Sequence, residues 1–198
     1  MSYTDRLLTF RSLLLAARPG MGKTTLALCL ADAFRARDGR EVSVFMPTVP
    51  HGAPWAGGKT RVTPLPEPTP ARIDEQLTER TGLIILDHYD PPPAAEPTAQ
   101  VWLSALAHRG ISVIVTAWIP RVPLECRRDK HPRPADLGWE ERSLAHFDAV
   151  ACLYTDAYYA ARTGAPERGE IRLYPRGNAV PEHLALCCDF PRSLMTDA

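Results

Sequence analysis

Eight residues, Ala17-Arg18-Pro19-Gly20-Met21-Gly22-Lys23-Thr24, have the types and spacing that hold a phosphate, G/A-x-x-x-x-G-K-[ST]. Gly20 and Gly22 let the backbone come close to an anion, because no side chain stands in the way. Lys23 has the reach to meet the β- and γ-phosphates, and the Thr24 hydroxyl is of the type that ligates Mg²⁺. Thr25 extends the loop into the next element. The expected ligands are therefore ATP and Mg²⁺, with residues 17–25 as the binding segment. Lys23 is the residue of this loop expected to act on the reacting phosphates.

The flanks agree with this chemistry. Leu13-Leu14-Leu15-Ala16 is an apolar run that reads as a buried strand entering the loop, and residues 25–34 read as a helix leaving it. In that order the loop amides and the helix N-terminus converge where the helix dipole is positive. A second match to the relaxed pattern, Ala53-Pro54-Trp55-Ala56-Gly57-Gly58-Lys59-Thr60, lacks a preceding strand. It is followed by Pro64, Pro66, Pro68 and Pro70. Proline removes N–H donors and blocks a following helix, so this segment is expected to be a surface loop. A carboxylate partner for the metal is found at Leu83-Ile84-Ile85-Leu86-Asp87, an apolar run ending in aspartate. Asp87 is expected to orient water on the Mg²⁺ beside Thr24.

Elements that must position these groups are given by the alternation of apolar runs and helical patterns, which predicts a parallel α/β sheet. Strands are expected at residues 12–16, 41–46, 82–86, 111–117 and 149–154, with a terminal β pair at 170–174 and 184–188. The loop helix is expected to run to Arg37 and stop at Asp38-Gly39. Residues 47–70 read as a proline-rich loop. Thr69-Pro70 reads as a cap followed by proline at the first helical position. Residues 98–108 and 140–146 are expected to be helical, and residues 120–134 irregular.

The bulk composition limits the alternatives. The chain has 198 residues, enough for a substantial core, and reads as one domain over 1–198. Its formal net charge is zero, so any nucleic-acid or membrane partner must be met by a local patch. No apolar run approaches the length of a membrane span, and residues 1–6 are too polar for a secretion signal. The five cysteines form no C-x-x-C pair, which predicts reduced thiols and a cytoplasmic setting.

The segment from Leu14 to Thr25 closely resembles the nucleotide loop of the C-terminal, RecA-like motor domain of DnaB-type replicative helicases, in particular its Arg-Pro-x-Met-Gly-Lys-Thr core. Later segments are similar in the same order. Residues 82–87 resemble the family's second nucleotide motif, and 129–137 the loop after its fourth strand. Residues 147–150 and 153–159 are similar to its Asp-Ala-Asp strand and the sequel. Tyr174-Pro175-Arg176-Gly177-Asn178 resembles the segment that supplies an arginine finger to a neighbouring subunit. The resemblance implies a RecA-like P-loop NTPase, with a mostly parallel central sheet flanked by helices. It also implies a homo-oligomeric ring, ATP hydrolysis coupled to movement along single-stranded DNA, and replication proteins as partners. Lys23, Asp87 and Arg176 take the catalytic positions. The departures are specific. The family's catalytic glutamate falls where this chain reads Phe45-Met46-Pro47-Thr48-Val49, its sensor glutamine falls at Trp118, and the lysine beside the finger falls at Tyr174. Asp90 is the one nearby carboxylate that offers a substitute. Residues 1–10 are too short to replace the family's N-terminal domain and linker helix. Binding with weakened hydrolysis is the expectation.

In this reading the segment 121–133 faces a nucleic-acid channel. It carries Arg121, Arg127, Arg128, Lys130 and Arg133 against Glu125 and Asp129. Contacts of that kind are electrostatic and salt-sensitive. Trp118 and Trp139 flank the segment and are of the type that stacks on bases. Two other functions are compatible with the motifs: a non-catalytic, nucleotide-gated assembly or helicase-loading factor, and a small-molecule phosphotransferase.

Overall fold

The computed structural model describes residues 1–47, 60–89, 96–120, 124–156, 167–177, 180–190 and 192–198. The expected surface loop at 53–59, Asp90 and Arg121 lie outside them, as do Thr48 and Val49 of the second-strand sequel, residues 157–159 and Asn178.

One nine-stranded sheet organises the molecule, in the order β3-β2-β4-β5-β1-β6-β7-β8-β9. The strands are β1 (Ser12–Ala17), β2 (Glu41–Met46), β3 (Thr60–Pro64), β4 (Thr81–Leu86), β5 (Ser112–Trp118), β6 (Ala149–Thr155), β7 (Glu167–Pro175), β8 (Glu182–Asp189) and β9 (Leu194–Asp197). The pairings from β3 across to β6 are parallel, and those from β6 to β9 antiparallel. β1, β4 and β5 are almost wholly apolar, as strands covered on both faces must be.

Helices cover the two faces. α1 (Tyr3–Leu7) and α2 (Lys23–Asp38) lie with one core, which includes Leu13, Leu15, Leu26, Leu30, Phe34, Ile85 and Met195. α3 (Pro70–Asp74) and α4 (Glu96–His108) lie with the other, which includes Leu14, Ile73, Ile84, Leu106, Val113, Leu124 and Leu137. α5 (Glu141–Leu144) is a single turn. In α2, Leu26, Leu30 and Phe34 recur every four residues and so share one stripe. Gly39 ends the helix in the left-handed conformation, its N–H donating to the Arg35 carbonyl. Thr69 caps α3 by accepting from the Arg72 amide, with Pro70 at the first turn.

Two sequence expectations change here. The proline-rich stretch contains a strand, β3, at the edge of the sheet, where Pro64 at its end costs no ladder bond within the sheet. The expected terminal β pair is three antiparallel strands, because a tight turn with Ser193 at φ 52° brings β9 back onto β8. All five cysteines are free: Cys152 and Cys188 are buried, Cys29 and Cys187 half-buried, Cys126 exposed. Among the described residues, no helix is long and apolar enough to cross a membrane.

Candidate functional site

The loop after β1 leaves the carboxyl edge of the sheet and runs straight into α2. This is where open α/β sheets place their ligands. Gly20 and Gly22 take φ values of 86° and 87°, open to glycine with little strain. Gly22 has a second constraint. A Cβ there would lie 2.6 Å from both Met195 Cε and Phe190 Cε1, so the loop is pressed against the turn into β9. Pro19 and Gly20 are exposed, whereas Met21 is fully buried and anchors the loop in the core.

α2 begins with no side-chain cap and no acidic residue in its first turn. The first amides of a helix have no intrahelical acceptor. Those of Lys23, Thr24 and Thr25 therefore point out of a positive dipole end toward the loop. Lys23 is buried beneath the loop, and its Nζ donates to the Ala17 and Arg18 carbonyls, each at 3.2 Å. Burial holds its ammonium down at about 8, with Asp87 opposing the shift. An ammonium carried into the interior at this cost is matched chemically to an anion that would restore its lost solvation. The donor set of the loop fits a phosphate chain.

The second motif meets the first across β4, β5 and β1, which are adjacent strands. Thr24 Oγ1 donates to the Asp87 carboxylate, 2.9 Å from Oδ2 and 3.1 Å from Oδ1. Thr116, fully buried on β5, donates to Asp87 Oδ1 at 2.7 Å. The same hydroxyl accepts the His88 amide at 2.8 Å. A hydroxyl and a carboxylate in contact, both of oxygen-donor type, fit a hard cation such as Mg²⁺. Thr116 and His88 escaped the sequence reading. The available signal was a threonine at the end of the apolar run Val113-Ile114-Val115, two residues before Trp118.

Arg18 is buried, and its guanidinium donates to Glu125 Oε1 at 2.8 Å. This pair ties the glycine loop after β1 to the segment after β5. That segment is itself braced. Arg127 grips both oxygens of buried Asp136, at 2.7 and 2.8 Å, and donates to the His131 carbonyl. Lys130 Nζ donates to the Glu125 carbonyl at 2.7 Å. Arg133 reaches Asp129 at 3.2 Å, and Asp129 also meets Arg172 of β7 at 3.4 Å. Three of the five expected nucleic-acid cations thus make contacts inside the protein, and Arg128 is exposed. Arg127, expected to face a nucleic-acid channel, has its fork engaged by a bidentate pair on a buried carboxylate. Trp118 stands exposed beside the loop, paired in register with Ala17, whereas Trp139 packs against the core.

Arg176 is not brought to the loop. It is exposed just past the end of β7, and its amide donates to the Asp148 carbonyl at 2.7 Å, before the start of β6. That is the amino edge of the parallel strands, separated from the loop by the length of β6, about 20 Å. Within one chain Arg176 cannot meet a phosphate held at the loop.

In sequence, the chain matches no protein-family model and no curated protein. In structure, it is similar to a solved ATPase domain, with a TM-score of 0.72 at 15% identity, covering 95% of this chain and 84% of that one. It is also similar to a DnaB-like replicative helicase solved with attention to its interactions with primase, with a TM-score of 0.64 at 15% identity. That match covers 92% of this chain and 59% of the helicase, so the chain spans little more than half of that protein's length. The fold is RecA-like, a mostly parallel sheet flanked by helices with antiparallel C-terminal strands.

Proposed function

We propose that this chain binds ATP with Mg²⁺ at residues 17–25, as a divergent motor domain of the DnaB-like type, and turns ATP over slowly or not at all. The observation that supports this most directly is the buried Lys23 ammonium, next to a Thr24–Asp87 contact at an uncapped helix start. In this reading the amides of Gly20, Gly22, Lys23, Thr24 and Thr25 and the Lys23 ammonium hold the phosphates, with Ala17, Arg18, Pro19 and Met21 shaping the loop, the Met21 amide donating to the Arg18 carbonyl. Thr24 and Asp87 hold the metal, which supplies charge neutralisation along the phosphates. Thr116 keeps the Asp87 carboxylate facing Thr24.

Weak turnover is supported by residues 45–47, which read Phe-Met-Pro where a carboxylate that activates water is needed. Loss of such a group costs roughly 10²–10⁴-fold in rate. Arg176 faces away from its own loop, so a finger role requires a neighbouring copy, and a ring of such chains is part of the proposal. Single-stranded DNA contact is assigned to Arg128 and Arg133, which are exposed, with Arg127 and Lys130 shaping the segment. A replication partner is suggested by the neighbour that interacts with primase.

Calorimetric titration with MgATP tests the reading. Wild type is expected to bind, and Lys23→Ala to weaken binding about 10- to 100-fold, the range for a lost hydrogen bond to a charged group. Equal behaviour of the two proteins removes the proposal. Turnover with and without single-stranded DNA, compared in Arg176→Ala, tests the assembled form: loss in the variant supports action between copies. A second reading, a nucleotide-gated assembly factor, is favoured by the missing carboxylate. It predicts an oligomeric state that changes with nucleotide, measured by light scattering. Rapid DNA-stimulated hydrolysis excludes it.

A further inference from the structure

His88 directly follows Asp87 and is one of two non-glycine residues with positive φ among those described, at 57°. Such a conformation is strained at a residue with a side chain and persists where the surroundings enforce it. Here they do. The His88 amide donates to Thr116 Oγ1 at 2.8 Å, and the next amide, of Tyr89, donates to the Thr116 carbonyl at 3.1 Å. One buried threonine thus fixes both the Asp87 carboxylate and the backbone that aims His88.

The imidazole emerges beside the loop. Its Nε2 lies 3.8 Å from Asp87 Oδ2, the oxygen nearest the Thr24 hydroxyl. Its ring sits 5.0 Å from that of Trp118, inclined at 57°. Trp118 is 56% exposed, so its ring is open to solvent beside the imidazole. The histidine side chain is 38% exposed and so keeps a face toward solvent at the mouth of the phosphate loop. In the proposed reading Lys23 reaches the β- and γ-phosphates from within the loop and Thr24 holds the metal. A metal held by Thr24 and Asp87 would bridge the β- and γ-phosphates, which would put the terminal phosphate on the Asp87 side of the loop, where a nucleoside diphosphate has no atom to offer. A hydrogen-bond donor at that place distinguishes the two ligands.

We infer that His88, steadied by Trp118 and set by Thr116, contacts the terminal phosphate of a bound nucleoside triphosphate and makes the site selective for triphosphate over diphosphate. This rests on the nucleotide-binding reading above and assigns to that site a specificity residue. It also places a polar contact where residues 45–47 supply no carboxylate and Trp118 no amide.

Titration calorimetry with MgATP and MgADP on wild type, His88→Ala, His88→Gln and Trp118→Ala tests it. His88→Ala is expected to weaken MgATP about 10-fold, the size of a hydrogen bond to a charged group, with MgADP unchanged. His88→Gln retains a donor and is expected to restore most of the ATP preference. Trp118→Ala is expected to fall between. His88→Gly, which relieves the backbone strain, is expected to raise the melting temperature of the free protein while still losing the ATP preference, which separates folding from recognition. Equal weakening of both ligands in His88→Ala, or no change in either, overturns the inference while nucleotide binding stands. Failure of wild type to bind either ligand overturns both.

Discussion

A single buried hydroxyl governs much of the candidate site. Thr116 donates to Asp87 and accepts from His88, and its full burial keeps bulk solvent from replacing a lost partner. Thr116→Val keeps the shape of the side chain and removes both bonds. It is expected to destabilise the fold by about 1–3 kcal/mol, the cost of leaving buried polar groups unmatched. Chemical denaturation measures this directly. A change below about 0.5 kcal/mol, the range of an ordinary surface substitution, shows that the network does not hold Asp87. The identities of Lys23, Thr24 and Asp87 were legible because each belongs to a short motif. Thr116 and His88 were not, because their roles depend on β5 lying beside β4, which no local pattern announces.

At the scale of elements, the loop after β1 is held from two sides. Met195 and Phe190 close on Gly22 from the β8–β9 turn, and Arg18 reaches Glu125 after β5. Gly22→Ala puts a methyl group into the first contact and forces alanine to a left-handed φ of 87°. Together these are expected to cost about 2–4 kcal/mol, read as a lower urea midpoint with an unchanged slope. A normal midpoint shows that the β9 turn yields freely. The braced segment after β5 makes a pH prediction. Asp129 accepts the His131 amide first, then Arg133 and Arg172, and its carboxyl is pushed down from 3.8 to about 2. A depressed carboxyl adds stability above its ordinary value, and that stability is lost as the pH falls through about 2. Asp129→Asn is therefore expected to be less stable than wild type at neutral pH, with the gap closing between pH 3.8 and 2. A gap independent of pH shows that the brace works through packing. The strand β3 was hidden by its prolines, which mark loops on average but are tolerated at a sheet edge. The third C-terminal strand was hidden because four residues, Leu194–Asp197, carry too little pattern to declare themselves.

For the whole molecule, one continuous sheet joins the loop, the metal-type carboxylate and the C-terminal strands. Both cores pack on that one sheet. Thermal unfolding is expected as a single transition with matching calorimetric and van't Hoff enthalpies. Two separated transitions contradict this. On the proposed reading, MgATP at a hundred times its dissociation constant is expected to add about 2.7 kcal/mol to that transition, and Lys23→Ala, binding about 10- to 100-fold more weakly, to cut the gain to about 0.4–1.4 kcal/mol. The position of Arg176 at the opposite edge belongs to this scale as well. The motif that contains it was readable, but its distance from the loop results from β7 running antiparallel to β6.

The sequence by itself determined the glycine-containing loop, the strand that enters it and the helix that leaves it, because those properties arise within about twenty consecutive residues and from helix and strand geometry alone. It also determined the α/β class, through the alternation of apolar strands with helical stripes. Tertiary structure alone decided which groups meet: Thr24 with Asp87 and Thr116, His88 with Trp118, Gly22 with Met195, Arg18 with Glu125. Each of those contacts joins residues brought together by strand order and by the return of the chain, and their energies depend on burial that only the assembled sheet creates.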